Sequence, residues 1–403
     1  MTARLRRTAV GVATAALIAV PLGSGAVHAS DAPPPDPSPS VSAPASDGFP
    51  LLTPAVAAQL DEAVKKVMAE AGVPGVMVAL SAPGKGDYVR TFGVADKATG
   101  APMATDMNMR IGSVTKTFTV TALLQLVDEG KVGLDDPIGK YVDGVPNGDR
   151  ITLRQLAEMR SGLFNYSADE DFYKALTSDP ERTFTPQELL AYAFEHPVLF
   201  EPGTKFLYCN TNLILLGLVV EKASGDELAD YINREVVAEA GLKHTLFPAG
   251  AEFPSPHAHG YTDQTASGKT EDATNWNPSW GWAAGAMISD LADMRSWAKT
   301  LATGTLLTPA TQAQRLKVVP ALPGAGYGLG IFNVQGWIGH NGSLPGYETL
   351  TVYLPQSRAT LVVMLNTDTD FQGSEPSTLF GEAITKIVTP DHVFSLPAQP
   401  VGH

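Results

Sequence analysis

The stretch Ile-Gly-Ser-Val-Thr-Lys at residues 111–116, with the apolar run that extends over residues 114–129, decides the fold of this 403-residue chain. The apolar run predicts a deeply buried helix that stops at Gly130, a residue suited to a left-handed end. Ser113 would start that helix, and Lys116, three residues on, would share its face. An amine in a dry environment loses its proton readily and can act as base for a serine. The alternative is that Ser113 merely caps the helix, and this motif alone does not separate the two.

A second Ser-x-x-Lys motif runs from Ser296 to Lys299. A chain of this length contains one or two such motifs by chance, so their context must decide between them. Ser296 falls inside a predicted amphipathic helix, where a serine usually points to solvent or bonds back to its own turn. This comparison favours Ser113 as the nucleophile.

The pattern Tyr-x-Asn also occurs twice. Tyr208 and Asn210 follow a turn at residues 201–204 and precede a helix predicted from residue 212. Two side chains so placed can both point into one cleft, where Tyr208 would relay a proton to the leaving group and Asn210 would hold a substrate amide. The second pair, Tyr231 and Asn233, lies in a continuous helical pattern, and its tyrosine is predicted to be structural.

The segment Gly-His-Asn-Gly-Ser at residues 339–343 is predicted to end one strand and lead into the next. Gly342 would let a substrate backbone approach the strand edge closely. If that strand lines the cleft, the backbone N–H groups of Ser343 and Ser113 form an oxyanion hole. A lone histidine in a strand, such as His340, is more often structural. The sequence has no clustered His and Cys pattern, so neither a metal nor another cofactor is expected.

The order of predicted elements indicates an α/β fold of the α+β kind. A hairpin is predicted over residues 76–92, helices fill the middle of the chain, and strands return over residues 328–366 before a last helix. This order implies one sheet built from the N- and C-terminal segments. The predicted domain covers residues 50–390, with a mostly helical insertion over about 114–300 and a tail over 391–403.

The N-terminus is typical of export. Residues 1–29 combine early arginines, an apolar run and small residues before the expected cleavage near Ala29, through either the Sec or the twin-arginine route. Residues 30–49 are rich in proline and serine and are predicted to be a flexible linker. Cys209 is the only cysteine, which leaves none for a lipid anchor, and no later apolar run is long enough to span a bilayer. A formal charge of −14 disfavours nucleic acid and anionic membranes as partners.

Seven motifs together resemble the serine beta-lactamase and D-Ala-D-Ala carboxypeptidase superfamily, above all the secreted D-alanyl-D-alanine carboxypeptidases of actinomycetes. They lie, in chain order, at residues 111–116, 123–131, 161–163, 201–203, 208–212, 326–330 and 340–342. The resemblance implies an antiparallel sheet with flanking helices and a mostly helical second domain. One departure concerns residues 331–333, which read Ile-Phe-Asn where those carboxypeptidases carry arginines that hold the terminal carboxylate.

The resemblance also implies roles for individual residues. Ser113 would be acylated, with Lys116 as its base and Tyr208 as proton relay. His340 would stand where many relatives have lysine, and Trp280 would form part of the cleft wall or, alternatively, belong to the core. The substrate-binding set is expected to comprise Asn210, Trp280, Asn341, Gly342 and Ser343.

These observations predict a secreted, monomeric serine D-Ala-D-Ala carboxypeptidase. Its substrate would be a peptidoglycan stem peptide or a small peptide or ester, and beta-lactams would be covalent ligands. Because the arginines are missing, protonated His340 would receive the terminal carboxylate, so that preference for a free acid would fade as the pH rises. The alternatives are a beta-lactamase, an esterase or a D-amino-acid amidase of the same superfamily, or a penicillin-binding sensor without turnover.

Overall fold

The fold is described by a computed structural model that covers residues 48–397. The predicted signal peptide and most of the predicted linker therefore lie outside the described residues. Phe49, placed in the linker by the sequence analysis, is only 3% exposed and belongs to the packed domain. At the other end Phe394, predicted to belong to the tail, is buried, and its N–H donates to Thr385 Oγ1 over 2.9 Å.

Strands from both ends of the chain form one antiparallel sheet, as predicted. The hairpin β1–β2 joins the C-terminal strand β12, with Val76 opposite Leu365 and Ser81 opposite Thr360. The order across this sheet is β2-β1-β12-β11-β10-β9-β8-β7. The described strands are β1 (Gly75–Ala82), β2 (Gly86–Gly93), β3 (Met109–Arg110), β4 (Tyr261–Thr262), β5 (Glu271–Asp272), β6 (Ile288–Ser289), β7 (Val319–Leu322), β8 (Ala325–Tyr327), β9 (Phe332–Val334), β10 (Trp337–Leu344), β11 (Tyr347–Leu354) and β12 (Ala359–Leu365).

Helices pack against the sheet, and those from α2 to α10 lie between β2 and β7 in chain order. Helices α1 and α11 pack together, and α9 packs against β11 and β12. The described helices are α1 (Pro54–Ala71), α2 (Thr115–Asp128), α3 (Leu153–Ala157), α4 (Glu170–Ser178), α5 (Pro186–Phe194), α6 (Asn210–Ser224), α7 (Leu228–Tyr231), α8 (Trp282–Gly285), α9 (Leu291–Thr303), α10 (Pro309–Arg315) and α11 (Pro376–Val388). Helix α7 continues as a π-helical segment, Ile232–Ala238.

Helix α2 is the buried helix that the apolar run predicts. All its residues from Thr115 to Leu124 are buried, and it packs against α6 and α8. A helix that is apolar all round lies inside a domain rather than on its surface. A short 3₁₀ turn, Gly112–Val114, precedes it and packs against β10.

Strand β10 differs from its prediction. The sequence analysis ended one strand near residue 340, but β10 continues to Leu344 because β11 pairs with it along this whole length, up to Leu344 opposite Tyr347. Strand β9 pairs with β10 only at Trp337, Ile338 and Gly339. The edge of β10 beyond Gly339 therefore faces the cavity described below, and Asn341, Gly342 and Ser343 line that cavity.

Among residues 48–397, no helix combines the length and the apolar character needed to cross a bilayer.

Candidate active site

Ser113 and Lys116 form the centre of the candidate site. Ser113 lies in the 3₁₀ turn before α2, and Lys116 lies in the first turn of that helix. The Lys116 Nζ atom is 2.7 Å from Ser113 Oγ and 2.8 Å from the carbonyl oxygen of Ala284 in α8. Lys116 is 0% exposed, and this burial lowers its pKa well below the ordinary lysine value. A neutral amine at this distance can accept the hydroxyl proton of Ser113.

The second Ser-x-x-Lys motif has a different environment. Ser296 is exposed on α9, and its hydroxyl donates to the Ala292 carbonyl one turn earlier. Lys299 is exposed as well. Neither residue lines the cavities beside Ser113.

Tyr208 lies beside the serine and the lysine. Lys116 Nζ is 5.0 Å from the centre of the Tyr208 ring. Burial raises the pKa of the Tyr208 hydroxyl, and its hydrogen bond with Ser113 only partly offsets this effect. The phenol therefore keeps its proton at neutral pH. A protonated hydroxyl bonded to the nucleophile can pass a proton to a leaving group.

His340 lies behind this group and does not line the cavity. It is 1% exposed, and burial together with nearby Lys116 lowers its pKa to about 3. His340 Nδ1 is 2.5 Å from the Asn341 carbonyl oxygen, so this nitrogen must carry the hydrogen. His340 Nε2 is then the acceptor for the Tyr327 hydroxyl at 3.0 Å.

This arrangement does not agree with the expected role of protonated His340 as a carboxylate receptor. The ring is neutral at the pH values where a peptidase works, because a buried imidazolium would lack hydration and would lie near Lys116. His340 instead supports the aromatic group around Tyr208. Its ring centre is 6.1 Å from that of Tyr208 and 5.0 Å from that of Phe332.

Asn210 lines both cavities and has a side-chain oxygen left unpaired by the described residues. Its side-chain nitrogen donates to Ser167 Oγ at 3.0 Å, and its backbone N–H donates to Asn165 Oδ1 at 3.0 Å. Its Oδ1 atom is buried and has no partner among the described residues. An unpaired buried amide oxygen costs free energy, and a substrate N–H would satisfy it.

Close backbone contact explains the two glycines at the nucleophile. A Cβ on Gly342 would lie 2.1 Å from the Ile111 carbonyl oxygen and 2.7 Å from the Ser113 nitrogen. A Cβ on Gly112 would lie 2.8 Å from the Ser343 nitrogen. Gly342 is thus needed for contact with the protein's own turn, and not only for approach of a substrate as the sequence suggested. This contact holds the backbone nitrogens of Ser113 and Ser343 close to each other, as an oxyanion hole requires.

Two cavities meet at Ser113. The larger has a volume of about 460 Å³, and the smaller, a niche of about 30 Å³, has Trp280 in its wall. Ser113, Asn210 and Ser343 line both. Tyr208, Asn341, Gly342 and Glu375 line only the larger one. All the predicted residues except Lys116 and His340 therefore line a cavity, and those two lie directly behind Ser113 and Tyr208.

Sequence reasoning missed several residues of the site. Glu375 precedes the proline that begins α11, and it accepts a hydrogen bond from Asn341 Nδ2 at 2.5 Å. Tyr166 lines the niche and donates to the Trp280 carbonyl at 2.6 Å. No periodicity or motif marks either residue, because each reaches the site through tertiary packing alone. Among residues 48–397, no group of three His, Cys, Asp or Glu side chains is placed to hold a metal ion.

The fold and this site define a serine hydrolase of the beta-lactamase type. The family described as Beta-lactamase matches residues 60–379, and the chain belongs to that family.

Known relatives include hydrolases of D-amino-acid compounds. The chain is 31% identical to a D-aminopeptidase of Brucella anthropi over 316 residues, which are 76% of this chain and 58% of the relative. It is 26% identical to penicillin-binding protein 4* of Bacillus subtilis, over 70% of this chain and 66% of that protein. The chain thus spans 58% of one of these relatives and 66% of the other, less than two thirds in both cases. The chain also resembles the crystal structure of a D-stereospecific amidohydrolase from a Streptomyces species, with a TM-score of 0.71 and 31% sequence identity. The match covers 77% of this chain and 94% of that one.

Proposed function

We propose that this protein hydrolyses amides of D-amino acids through an acyl-enzyme on Ser113. The observation that carries the proposal is the contact of 2.7 Å between Ser113 Oγ and the buried, proton-poor amine of Lys116. Similarity to a D-aminopeptidase and to a D-stereospecific amidohydrolase supports the choice of substrate.

The proposed reaction has two steps. Lys116 accepts the hydroxyl proton as Ser113 Oγ attacks the amide carbon, and the N–H groups of Ser113 and Ser343 stabilise the oxyanion. Tyr208 passes a proton to the departing amine and recovers one from protonated Lys116, so the C–N bond breaks, an ester to Ser113 forms and both side chains regain their starting forms. Water then attacks this ester, its proton passes to Ser113 Oγ, and the acid is released.

The second candidate is the D-Ala-D-Ala carboxypeptidase expected from the motifs. Similarity to penicillin-binding protein 4* supports it, and with it the expectation that beta-lactams acylate Ser113. Such an enzyme must hold a terminal carboxylate. The described residues that line the larger cavity include no lysine, arginine or histidine, whereas they include Glu375. This charge pattern favours the amidase.

A substrate comparison tests the proposal. We expect the purified protein to release ammonia from D-phenylalanine amide much faster than from the L-enantiomer, and faster than it releases D-alanine from diacetyl-Lys-D-Ala-D-Ala. The Ser113→Ala variant should release neither product. A higher kcat/KM for the D-Ala-D-Ala peptide would favour the carboxypeptidase instead.

Export of the protein is a separate proposal that rests on the sequence of residues 1–29 alone. N-terminal sequencing of protein recovered from the culture medium tests it, with cleavage near Ala29 as the expected result.

A further inference from the structure

The larger of the two cavities at Ser113 receives the leaving half of a substrate. Tyr208, the proposed proton donor to the leaving group, lines the larger cavity and not the niche. The leaving amine must be within reach of that hydroxyl. It therefore occupies the larger cavity. The larger cavity has room for far more than ammonia.

The larger cavity has an acidic wall. Glu375 is the one Asp, Glu, Lys, Arg or His among the described residues that line it. One Glu375 oxygen accepts a hydrogen bond from Asn341 Nδ2 at 2.5 Å. The charged groups that act on Glu375 are Glu348 on β11 and Asp370 in the loop before α11, and both are acids. The donor on β10, Asn341, is neutral.

Glu348 lies next to Glu375 and is 1% exposed. Its Oε2 accepts the Ser377 N–H at 2.7 Å, while Oε1 has no partner among residues 48–397. Burial, reinforced by repulsion from Glu375, raises the pKa of Glu348 well above its ordinary value. Burial raises the pKa of Glu375 as well, but Glu375 accepts the hydrogen bond from Asn341, which lowers it, and borders the cavity. Glu348 therefore holds the proton, and Glu375 is the carboxylate of the pair. A carboxylate with acidic neighbours and no cation of its own lacks a counter-ion.

We propose that Glu375, supported by Glu348, binds a positively charged group in the leaving half of the substrate. The inference rests on the proposed amidase function and narrows its substrates to D-aminoacyl amides whose amine portion carries a second, protonated amine. The same wall would repel a terminal carboxylate at this place.

Binding to an inactive protein tests the subsite without turnover. The ligands are D-alanyl amides of three amines that share a four-carbon chain: 1,4-diaminobutane (cationic), butylamine (neutral) and 4-aminobutyrate (anionic). Calorimetry on Ser113→Ala should give a Kd for the cationic ligand at least about tenfold below that for the neutral one, as expected for a hydrogen bond to a charged group. The anionic ligand should bind more weakly than the neutral one.

Two further variants of Ser113→Ala assign the effect. Adding Glu375→Gln should bring the three Kd values together and leave the Kd of the neutral ligand nearly unchanged. Adding Glu382→Gln removes the same charge from a half-buried position on α11 that does not line the cavity and pairs with Lys386, and it should leave the preference intact. The proposal would be overturned if the Ser113→Ala protein bound all three ligands with equal Kd values. It would also be overturned if the protein still preferred the cationic ligand by the same factor after Glu375→Gln was added. An equal loss of affinity for all three ligands would also overturn it, because that result would mean that Glu375 only positions Asn341.

Turnover by the wild-type protein reports on the proposed function separately. If the protein binds the cationic ligand as expected but cleaves none of the three amides, the amidase assignment fails and the subsite stands. If it cleaves all three at similar kcat/KM, the amidase stands and the subsite fails.

Discussion

Replacing Gly342 by alanine tests whether the contact between β10 and the Gly112–Val114 turn builds the oxyanion hole. The new Cβ would lie 2.1 Å from the Ile111 carbonyl oxygen, where ordinary contact begins at 3.4 Å, and the groups it meets are backbone atoms that have no rotamer to change. The strand and the turn must therefore separate by about 1 Å, and a misplacement of that size costs about a hundredfold in rate. Loss of one oxyanion donor costs about 10²–10³ in kcat.

The assay compares kcat for a D-amino-acid amide in wild type, Gly342→Ala and Gly250→Ala. Gly250 is the matched control, because a Cβ there meets only the flexible end of the Glu252 side chain, at 3.1 Å. We expect kcat to fall at least about a hundredfold in Gly342→Ala, with a loss of about 1–3 kcal/mol in the free energy of unfolding. Gly250→Ala should keep both values. A folded Gly342→Ala protein that keeps most of its kcat would refute the reasoning.

The remaining predictions concern the nucleophile, its base, the relay and the buried histidine. Ser113→Ala should abolish covalent labelling by a fluorescent penicillin, whereas Ser296→Ala, on the exposed face of α9, should be labelled like the wild type. An adduct on the Ser113→Ala protein, seen by intact-mass spectrometry, would exclude Ser113 as the nucleophile. Lys116→Ala should slow acylation by several powers of ten. In the wild type the neutral form of this base is the active one, and burial lowers its pKa, so kcat/KM should fall on acidification only well below pH 10.5. Tyr208→Phe should keep its affinity for ligands and lose most of its kcat, because only the hydroxyl that relays the proton is removed. A variant that keeps the kcat of the wild type would show that another group relays the proton. Because burial lowers the pKa of His340 to about 3, the shape of the kcat/KM profile between about pH 5.5 and 8.5 should be the same in wild type and His340→Gln, and a profile that changes shape would show that His340 titrates there.

Local sequence signals were sufficient for the first hairpin and the central helix. Two short strand-like segments around a tight turn predicted the β1–β2 hairpin, and the apolar run after Ser113 predicted α2. Each of these elements is specified by residues near one another in the chain. The length of β10 was not predicted, because its last residues are strand only through pairing with β11.

The catalytic motifs could be located in the sequence, whereas the charge of the site could not. His340 has an ordinary titration range in isolation, and only its burial beside Tyr327 and Lys116 makes it neutral. Glu375 belongs to no motif, and it borders the cavity because packing places the start of α11 beside Asn341 of β10. Protonation depends on the surroundings that packing creates, so it cannot be inferred from residue types along the chain.

The most direct test of the central claim is to find which residue a D-substrate acylates. The wild-type protein is mixed with the p-nitroanilide of D-phenylalanine, quenched in acid within milliseconds, digested, and mapped by mass spectrometry, with the L-enantiomer run in parallel. We expect a D-phenylalanyl adduct on the peptide that contains Ser113, and far less adduct from the L-compound. Hydrolysis without any adduct on that peptide, or equal acylation by both enantiomers, would contradict the account.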